Sequence, residues 1–577
     1  MVSLSKMGAV IVLVIITSLI LIFYLTGYLE LAWLPVYYFL SGFIFICNMV
    51  FAFLSNQYVY PVLYVITYIS ALTAVGTFIA TLIWYARVRR KFSSPVKKQG
   101  VSALSLIIVM ILLIGLFQVA MSILQQELMY TVSFYLFVIS IILLGVRTIV
   151  NISTSLAYKS RVKAKMREPL VSIIVPAFNE GTVIQETIQS LIELTYPYKE
   201  IIIVDDGSTD DTYTRAVEAS EGYNVKIISK PNGGKWSALN KGVESAQGEI
   251  VICIDADTRL EKDAIEYLVK HFSDNQVAAV AGNVKVGNRD RALTKLQALE
   301  YVASINIQRR GEGYFNKLTV VPGPLGAFRK NVLKEVGLYS PDTFAEDADL
   351  TLSILKAGYK IKYEPRALGY TEAPHTFTDL AKQRYRWYRG LLQAMKKHKN
   401  MVFNSKYGSA GLFIVPWMFF NGIVFSWFTF LTLIWLFILM FNPLSGFVIY
   451  RPEPRGPPKE PPKGPPEWIP GGGGGHGPGG SIILSTNVGS IPQLTIEANF
   501  FQAIPVIYIF WFFIFMLVEL IITVYAVQID GYEKKRLIAY TVLYKLFYGY
   551  FIETIRILSQ LEEQLKYPMK WEKAKRK

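Results

Sequence analysis

Two hydrophobic patterns alternate along these 577 residues. Unbroken apolar runs occupy 8–25, 34–54, 61–85, 104–124 and 132–150. Each is close to the roughly 20 helical residues that cross a hydrocarbon core. From Leu170 the runs shrink to strand length, at 171–175, 201–204, 225–228, 249–254 and 277–281. Polar segments of helical length, such as 183–194 and 238–246, separate them. Strand alternating with helix predicts an α/β domain with a mainly parallel, Rossmann-like sheet. Long apolar runs return at 411–441 and 500–527. The run 537–557 is interrupted by Lys545, Glu553 and Arg556, and reads equally as a span or an interfacial helix. In 450–498, a proline-rich stretch and the glycines at 471–475 predict an extended, flexible linker.

This pattern divides the chain into an N-terminal membrane region of about five spans (1–155), a catalytic-sized domain (168–398) and one further span (411–441). The linker (450–498) and C-terminal membrane or interfacial helices with a basic tail (500–577) complete it. Composition agrees: 52% of residues are hydrophobic and the mean hydropathy is +0.34, high for a soluble protein. The formal charge of +16 comes largely from Lys and Arg beside apolar runs, as at 87–98 and 159–167. That placement marks cytoplasmic flanks of a multi-pass protein of the cell membrane rather than a nucleic-acid surface. The α/β domain is then cytoplasmic and the linker outside. Cys47 and Cys253 are the only cysteines, which argues against disulfides and cysteine metal sites.

Candidate chemistry gathers where the strands end. Asn179 and Glu180 follow the first strand, Asp205 and Asp206 the second, Asn232-Gly233-Gly234-Lys235 the third, and Asp255-Ala256-Asp257 the fourth. Ligands of open α/β sheets bind at that edge. Two aspartates one residue apart suit a hard divalent cation, which in turn holds phosphate oxygens. Turn chemistry alone would also place Asp206-Gly207 and Asn232-Gly233 there. Four polar clusters on one edge favour a nucleotide site. Gln383, Arg386 and Trp387, at i, i+3 and i+4, share one helix face. The same segment, with Arg384, Arg389, Lys396 and Lys397, also reads as an amphipathic helix on the membrane.

Val-Pro-Ala-Phe-Asn-Glu (175–180), Val-Asp-Asp-Gly-Ser-Thr-Asp (204–210), Asn-Gly-Gly-Lys (232–235) and Asp-Ala-Asp (255–257) resemble family 2 glycosyltransferases. Gly-Pro-Leu-Gly-Ala-Phe-Arg (323–329), Ala-Glu-Asp (345–347) and Gln-Arg-Tyr-Arg-Trp (383–387) resemble its processive, membrane-embedded branch of hyaluronan, chitin, cellulose and poly-N-acetylglucosamine synthases. The resemblance implies a GT-A-type fold and inverting, Mg²⁺- or Mn²⁺-dependent transfer from a nucleotide-sugar donor, expected to be a UDP-sugar. It implies donor contacts from Asn179, Glu180, Asp206, Lys235 and Asp255, and a metal-diphosphate held by Asp257. Asp347 would be the catalytic base with Glu346 beside it. Gln383, Arg386 and Trp387 would line the diphosphate and the acceptor end. Ala345 stands where many relatives have threonine.

The chemistry needs those parts: positive charge on the leaving diphosphate and a carboxylate for the attacking hydroxyl's proton. Asp347 stands at the start of a predicted helix, 350–357, closed by Gly358. A helix amino end lowers a carboxyl pKa whereas a base benefits from a raised one, so burial must decide. Three functions fit this sequence. One is a processive synthase that extends a polysaccharide and exports it through its own spans, another adds single sugars to a lipid-linked acceptor, and the third is an inactive nucleotide-sensing scaffold. Membrane lipid is an expected partner, nucleic acid is not, and the sequence names no protein partner.

Overall fold

This computed structural model describes residues 76–77, 80–85, 126–160, 168–429, 481–483, 497–499 and 503–567. The apolar runs at 8–25, 34–54 and 104–124 and nearly all of the 450–498 linker lie outside them. The chain divides into two compact units. One comprises Met1–Leu72, Gln125–Phe134 and Phe437–Met516, the other Thr73–Leu124, Tyr135–Leu436 and Leu517–Lys577. In the first, the described residues include an antiparallel pair, Ser481–Ile483 with Glu497–Asn499. The second holds the candidate site and is the subject below.

Helix α1 covers Gln126–Ala157, and β1 (Val171–Ala177) opens the α/β domain. There follow α2 (Ile184–Ile192), β2 (Lys199–Asp205), α3 (Thr212–Ser220), β3 (Val225–Ser229) and α4 (Lys235–Ser245). Next come β4 (Ile250–Cys253), β5 (Thr258–Leu260), α5 (Ala264–Lys270), β6 (Val277–Val286), α6 (Ala292–Glu300) and α7 (Ile307–Tyr314). The domain closes with β7 (Gly326–Arg329), α8 (Lys330–Glu335), α9 (Glu346–Lys356), β8 (Lys360–Thr371) and α10 (Phe377–Lys397). Helices α11 (Ala503–Asp530) and α12 (Gly549–Gln564) come later in the chain.

One eight-stranded sheet, in the order β3-β2-β1-β4-β7-β6-β8-β5, carries the domain. Its β-branched strands bury both faces with a period of two. Ile173, Val175, Ile201 and Ile203 enter one core layer, while Ile174, Ile202 and Val204 enter the other. Helix α2 packs Ile184, Ile188 and Leu191 onto the first layer at helical spacing. Helix α4 approaches the second so closely that a Cβ on Gly242 would lie 2.3 Å from Ile174 Cγ2.

The sheet is parallel in most of its pairings, with an antiparallel minority. Pairs β1–β2, β2–β3, β1–β4 and β6–β8 are parallel, but β4–β7, β6–β7 and β5–β8 are antiparallel. The sheet is mixed, which still fits a GT-A arrangement. β7 has four residues and follows the turn at 323–325, so its apolar periodicity is too brief to register in sequence.

The apolar run at 132–150 lies within the longer α1. Among the described residues, one helical stretch, Ala410–Thr429, is long and apolar enough to cross a membrane. The 537–557 run is helical throughout, though not regularly α. It passes through 3₁₀ and π turns into α12. The polar residues that interrupt it face protein: Arg556 pairs with Glu553 at 3.0 Å and donates to Tyr388 on α10 at 3.2 Å and to Ser426 at 3.1 Å. Ile552, Ile555 and Leu558 pack with Leu380 and Tyr385, so α12 lies along α10.

Candidate active site

The loops after β1, β2 and β3 are clasped to one another. Asn179 takes a positive φ of 52°, a conformation asparagine tolerates, and its Oδ1 accepts the Thr209 amide at 2.8 Å. Its own amide donates to Ser208 Oγ at 2.9 Å, and that of the buried Glu180 to Thr212 Oγ1 at 2.7 Å. Asp206 is also buried. Its carboxylate accepts the Gly233 and Gly234 amides at 3.0 and 2.8 Å and pairs with Lys230. At Gly207, φ is +73° and a Cβ would stand 2.8 Å from the Asn232 amide nitrogen. The Asp-Gly and Asn-Gly turns therefore interlock, with Asp206 as the pin.

Four further sequence candidates, from three different elements, converge beyond β4. Lys235, at the start of α4, reaches Asp255 at 2.6 Å and Glu346 at 3.4 Å. Burial opposes its charge, but Asp255 and Glu346 together hold its pKa above the ordinary lysine value. Asp347 follows in the first turn of α9, with Oδ2 accepting the Gly323 amide at 3.3 Å and Oδ1 accepting from Ala348 at 2.8 Å. A Cβ on Gly323 would fall 2.8 Å from Lys235 Nζ, so this backbone must be bare for the lysine to lie there.

Burial, and then the adjacent Glu346, raise the Asp347 pKa, with Lys235 and Arg386 pulling the other way. Burial is thus the largest influence on this carboxyl. Asp257 sits deeper, where β5 and β8 pair Thr258 directly with Thr371. Both hydroxyls donate to its Oδ1, at 3.3 and 3.2 Å.

Among the described residues no three His, Cys, Asp or Glu side chains converge on a metal position. The donor set fits a hard cation bound sparsely: aspartate oxygens at a strand end, the remaining ligands coming from phosphate and water, as Mg²⁺ is commonly held.

Helix α10 starts at a Thr376 cap that accepts the Asp379 amide at 3.1 Å. Gln383, Arg386 and Trp387 are each partly exposed, as one face requires, whereas Arg384, Tyr385 and Arg389 are buried. The alternative of a helix lying on a membrane surface with Arg384 and Arg389 solvated does not hold. Arg389 donates to Glu563 at 2.8 Å, and α10 is held between α9 and α12. Arg386 acts electrostatically on both Lys235 and Asp347. A Cβ on Gly390 would lie 2.4 Å from the Ala345 nitrogen, so α10 rests directly on the residue before Glu346. That contact gives the small Ala345 side chain a local reason.

Arg384 was not singled out by its spacing. It is fully buried, pairs with Glu300 at 2.7 Å and lies over the Trp387 ring with its guanidinium carbon 4.1 Å from the centroid. Cation–π contact of this kind fixes an indole plane. The signal is present as the first arginine of Gln-Arg-Tyr-Arg-Trp, but an amphipathic helix explains it equally well.

Residues 172–337 match the family model described as glycosyl transferase family 2. A poly-beta-1,6-N-acetyl-D-glucosamine synthase of Staphylococcus epidermidis is 36% identical over 222 residues, 38% of this chain and 54% of the relative. The same-named enzyme of Staphylococcus aureus strain COL is 33% identical over the same extent. The chain thus spans about half the length of the curated relatives it matches. Among solved structures, a mannosyltransferase from Pyrobaculum calidifontis in complex with GDP-Man and Mn²⁺ shares 21% identity at a TM-score of 0.46, covering 56% of this chain and 88% of that one.

Proposed function

From the premise that this chain carries a family 2 glycosyltransferase domain at residues 172–337, we propose that it moves sugars from a nucleotide-sugar donor onto a growing polysaccharide, which it exports through its own membrane segments. The observation that carries the reading is Lys235 held between Asp255 and Glu346, one residue from a carboxyl with a raised pKa. Binding residues and base then share one cleft.

Asp206 and the Gly233–Gly234 backbone form the base and ribose end. Lys235 and Arg386 supply positive charge to the diphosphate. Asp257, with Asp255 near it, would hold Mg²⁺ or Mn²⁺, which adds Lewis-acid charge on the leaving diphosphate. Asp347 takes the proton of the acceptor hydroxyl as its oxygen bonds to the anomeric carbon. The bond to the diphosphate breaks on the opposite face, its electron pair leaves with the phosphate, and the configuration inverts. Trp387, held by Arg384, offers an apolar face to the acceptor sugar. A UDP-N-acetylhexosamine is the first donor to test, given the names of the relatives.

Purified membranes, a radiolabelled nucleotide sugar and product sizing test this directly. The wild type should make long product, lose transfer in excess chelator and regain it with Mg²⁺ or Mn²⁺. Trp387→Ala should keep nucleotide binding but yield short product. Polymer of unchanged length from that variant would remove the processive reading. A single sugar on lipid would establish the lipid-linked acceptor instead, and no transfer from any nucleotide sugar would sink the reading altogether.

A further inference from the structure

Between α6 and α7 the helix passes through a π turn, Tyr301–Asn306. An extra residue in one turn changes which side chains face the cleft beyond it, and such turns recur at functional sites. Three residues further stands Arg309. Its Nη1 is sealed from solvent and has no hydrogen-bond partner among the described residues. A buried guanidinium N–H left unmatched is costly.

The carboxylate that helical spacing offers it is already engaged. Glu312 accepts from Gln308 Nε2 at 2.7 Å and from the Thr319 amide and hydroxyl at 2.9 and 3.0 Å. Arg310, next in sequence, is spent on the Ile529 carbonyl at 3.0 Å.

A second unmatched group lies near. Tyr363 on β8 is fully buried and its hydroxyl has no partner among the described residues. The charged and titratable groups that act on Arg309 are Tyr363, Tyr301, Glu312 and Asp347. Tyr301 in turn feels both Arg309 and Asp257. Arg309 thus stands within electrostatic reach of Asp347, on a different element from Lys235 and Arg386. A buried N–H without a protein acceptor fits an oxygen that arrives with a ligand.

We infer that Arg309 is a sugar-binding residue of this cleft, donating to an oxygen of the acceptor sugar whose hydroxyl proton Asp347 takes. The inference rests on the transferase reading above and adds to it a contact that none of the sequence motifs contains. The guanidinium offers a planar fork with fixed directions, which an ammonium does not. Losing it should therefore weaken the acceptor specifically, with donor binding left to Asp206, Lys235 and Asp257.

The test uses the full-length protein with a β-linked N-acetylglucosamine oligosaccharide as acceptor and UDP as nucleotide probe. Arg309→Gln should raise the acceptor KM by about 10-fold or more, the range of a hydrogen bond to a charged group, and leave UDP affinity within about twofold. Arg309→Lys keeps the charge but not the fork, so its KM should stay at least about fivefold high. Calorimetric binding of the same oligosaccharide needs no turnover, so it tests Arg309 even where transfer fails, and weaker binding in both variants is expected.

Three results would overturn the assignment: wild-type acceptor binding in Arg309→Gln, full recovery in Arg309→Lys, or loss of UDP affinity with the acceptor KM unchanged. Failure of the wild type to bind the oligosaccharide would also count against it. Should Arg309→Gln fail to fold, Arg309→Lys carries the test. A wild type that binds oligosaccharide through Arg309 but transfers nothing separates failure of the transferase reading from failure of this one.

Discussion

Asp347 shows how one residue trades stability for chemistry. Burial and Glu346 raise its pKa in the folded chain. For an acid, this means the unfolded state releases its proton first. The folded state therefore loses stability as pH rises from the unfolded value, about 4, through the raised folded value. Asp347→Asn removes that penalty. The variant should melt higher than the wild type at pH 7, with the gap closing below about pH 4. Its transfer rate should fall by about 10²- to 10⁴-fold, because no proton acceptor remains. Wild-type transfer should decline as pH drops through the raised pKa, since only the ionised carboxylate accepts a proton. Equal melting at pH 7 together with near-normal turnover would contradict the role.

At the scale of elements, α10 is the keystone of the cleft. It meets α9 through bare backbone, with Gly390 against Ala345, and meets α6 through Arg384 and Glu300. Gly390→Ala would drive a methyl into the chain just before Glu346. Overpacking of that kind costs about 1–3 kcal/mol. The expected result is a lower melting temperature and a transfer rate reduced more than nucleotide affinity, because the added methyl meets the chain beside Glu346 and Asp347 rather than the Asp206 turn. Unchanged kinetics in a variant of normal stability would mean that α9 and α10 can separate without moving Asp347. The buried Arg384–Glu300 pair serves orientation rather than net stability, since burying two charges consumes most of their attraction.

At the largest scale, the α/β sheet is joined to the helices that follow it in the chain. Glu563 on α12 accepts from Arg389 at 2.8 Å and from Gln393 at 3.0 Å. Lys285 on β6 is buried against Asp530 at the end of α11, and Arg289 pairs with Glu533 just beyond. The sheet is thus tied to the C-terminal helices by a buried Lys285–Asp530 pair and a half-buried Arg289–Glu533 pair. Charge flanks predict a cytoplasmic domain and an external linker at 450–498. A cysteine introduced in the linker, after replacement of Cys47 and Cys253, should react with an impermeant thiol reagent on intact cells. Labelling only after lysis would reverse that topology.

The sequence by itself determined the strands at 171–175, 201–204 and 225–228, because short β-branched runs favour pairing in a sheet; the first two are buried, while 225–228 lies at the sheet edge and is only partly so. It also determined that Asp206, Lys235, Asp255 and Asp257 would follow strand ends, since that depends on local order in the chain. Tertiary structure decided what depends on residues far apart. The short β7 is a strand only because it pairs antiparallel between β4 and β6, so the sheet became mixed. Which partners the polar residues of the 537–557 run would meet was likewise decided by the fold: Arg556 donates to Tyr388 and Ser426, more than a hundred residues away. The direction of the Asp347 pKa shift was undecided in sequence, because a helix end and burial act oppositely and only packing measures burial. Arg309 was invisible for the same reason: nothing along the chain distinguishes an arginine in a helix from one whose nitrogen is buried without a partner.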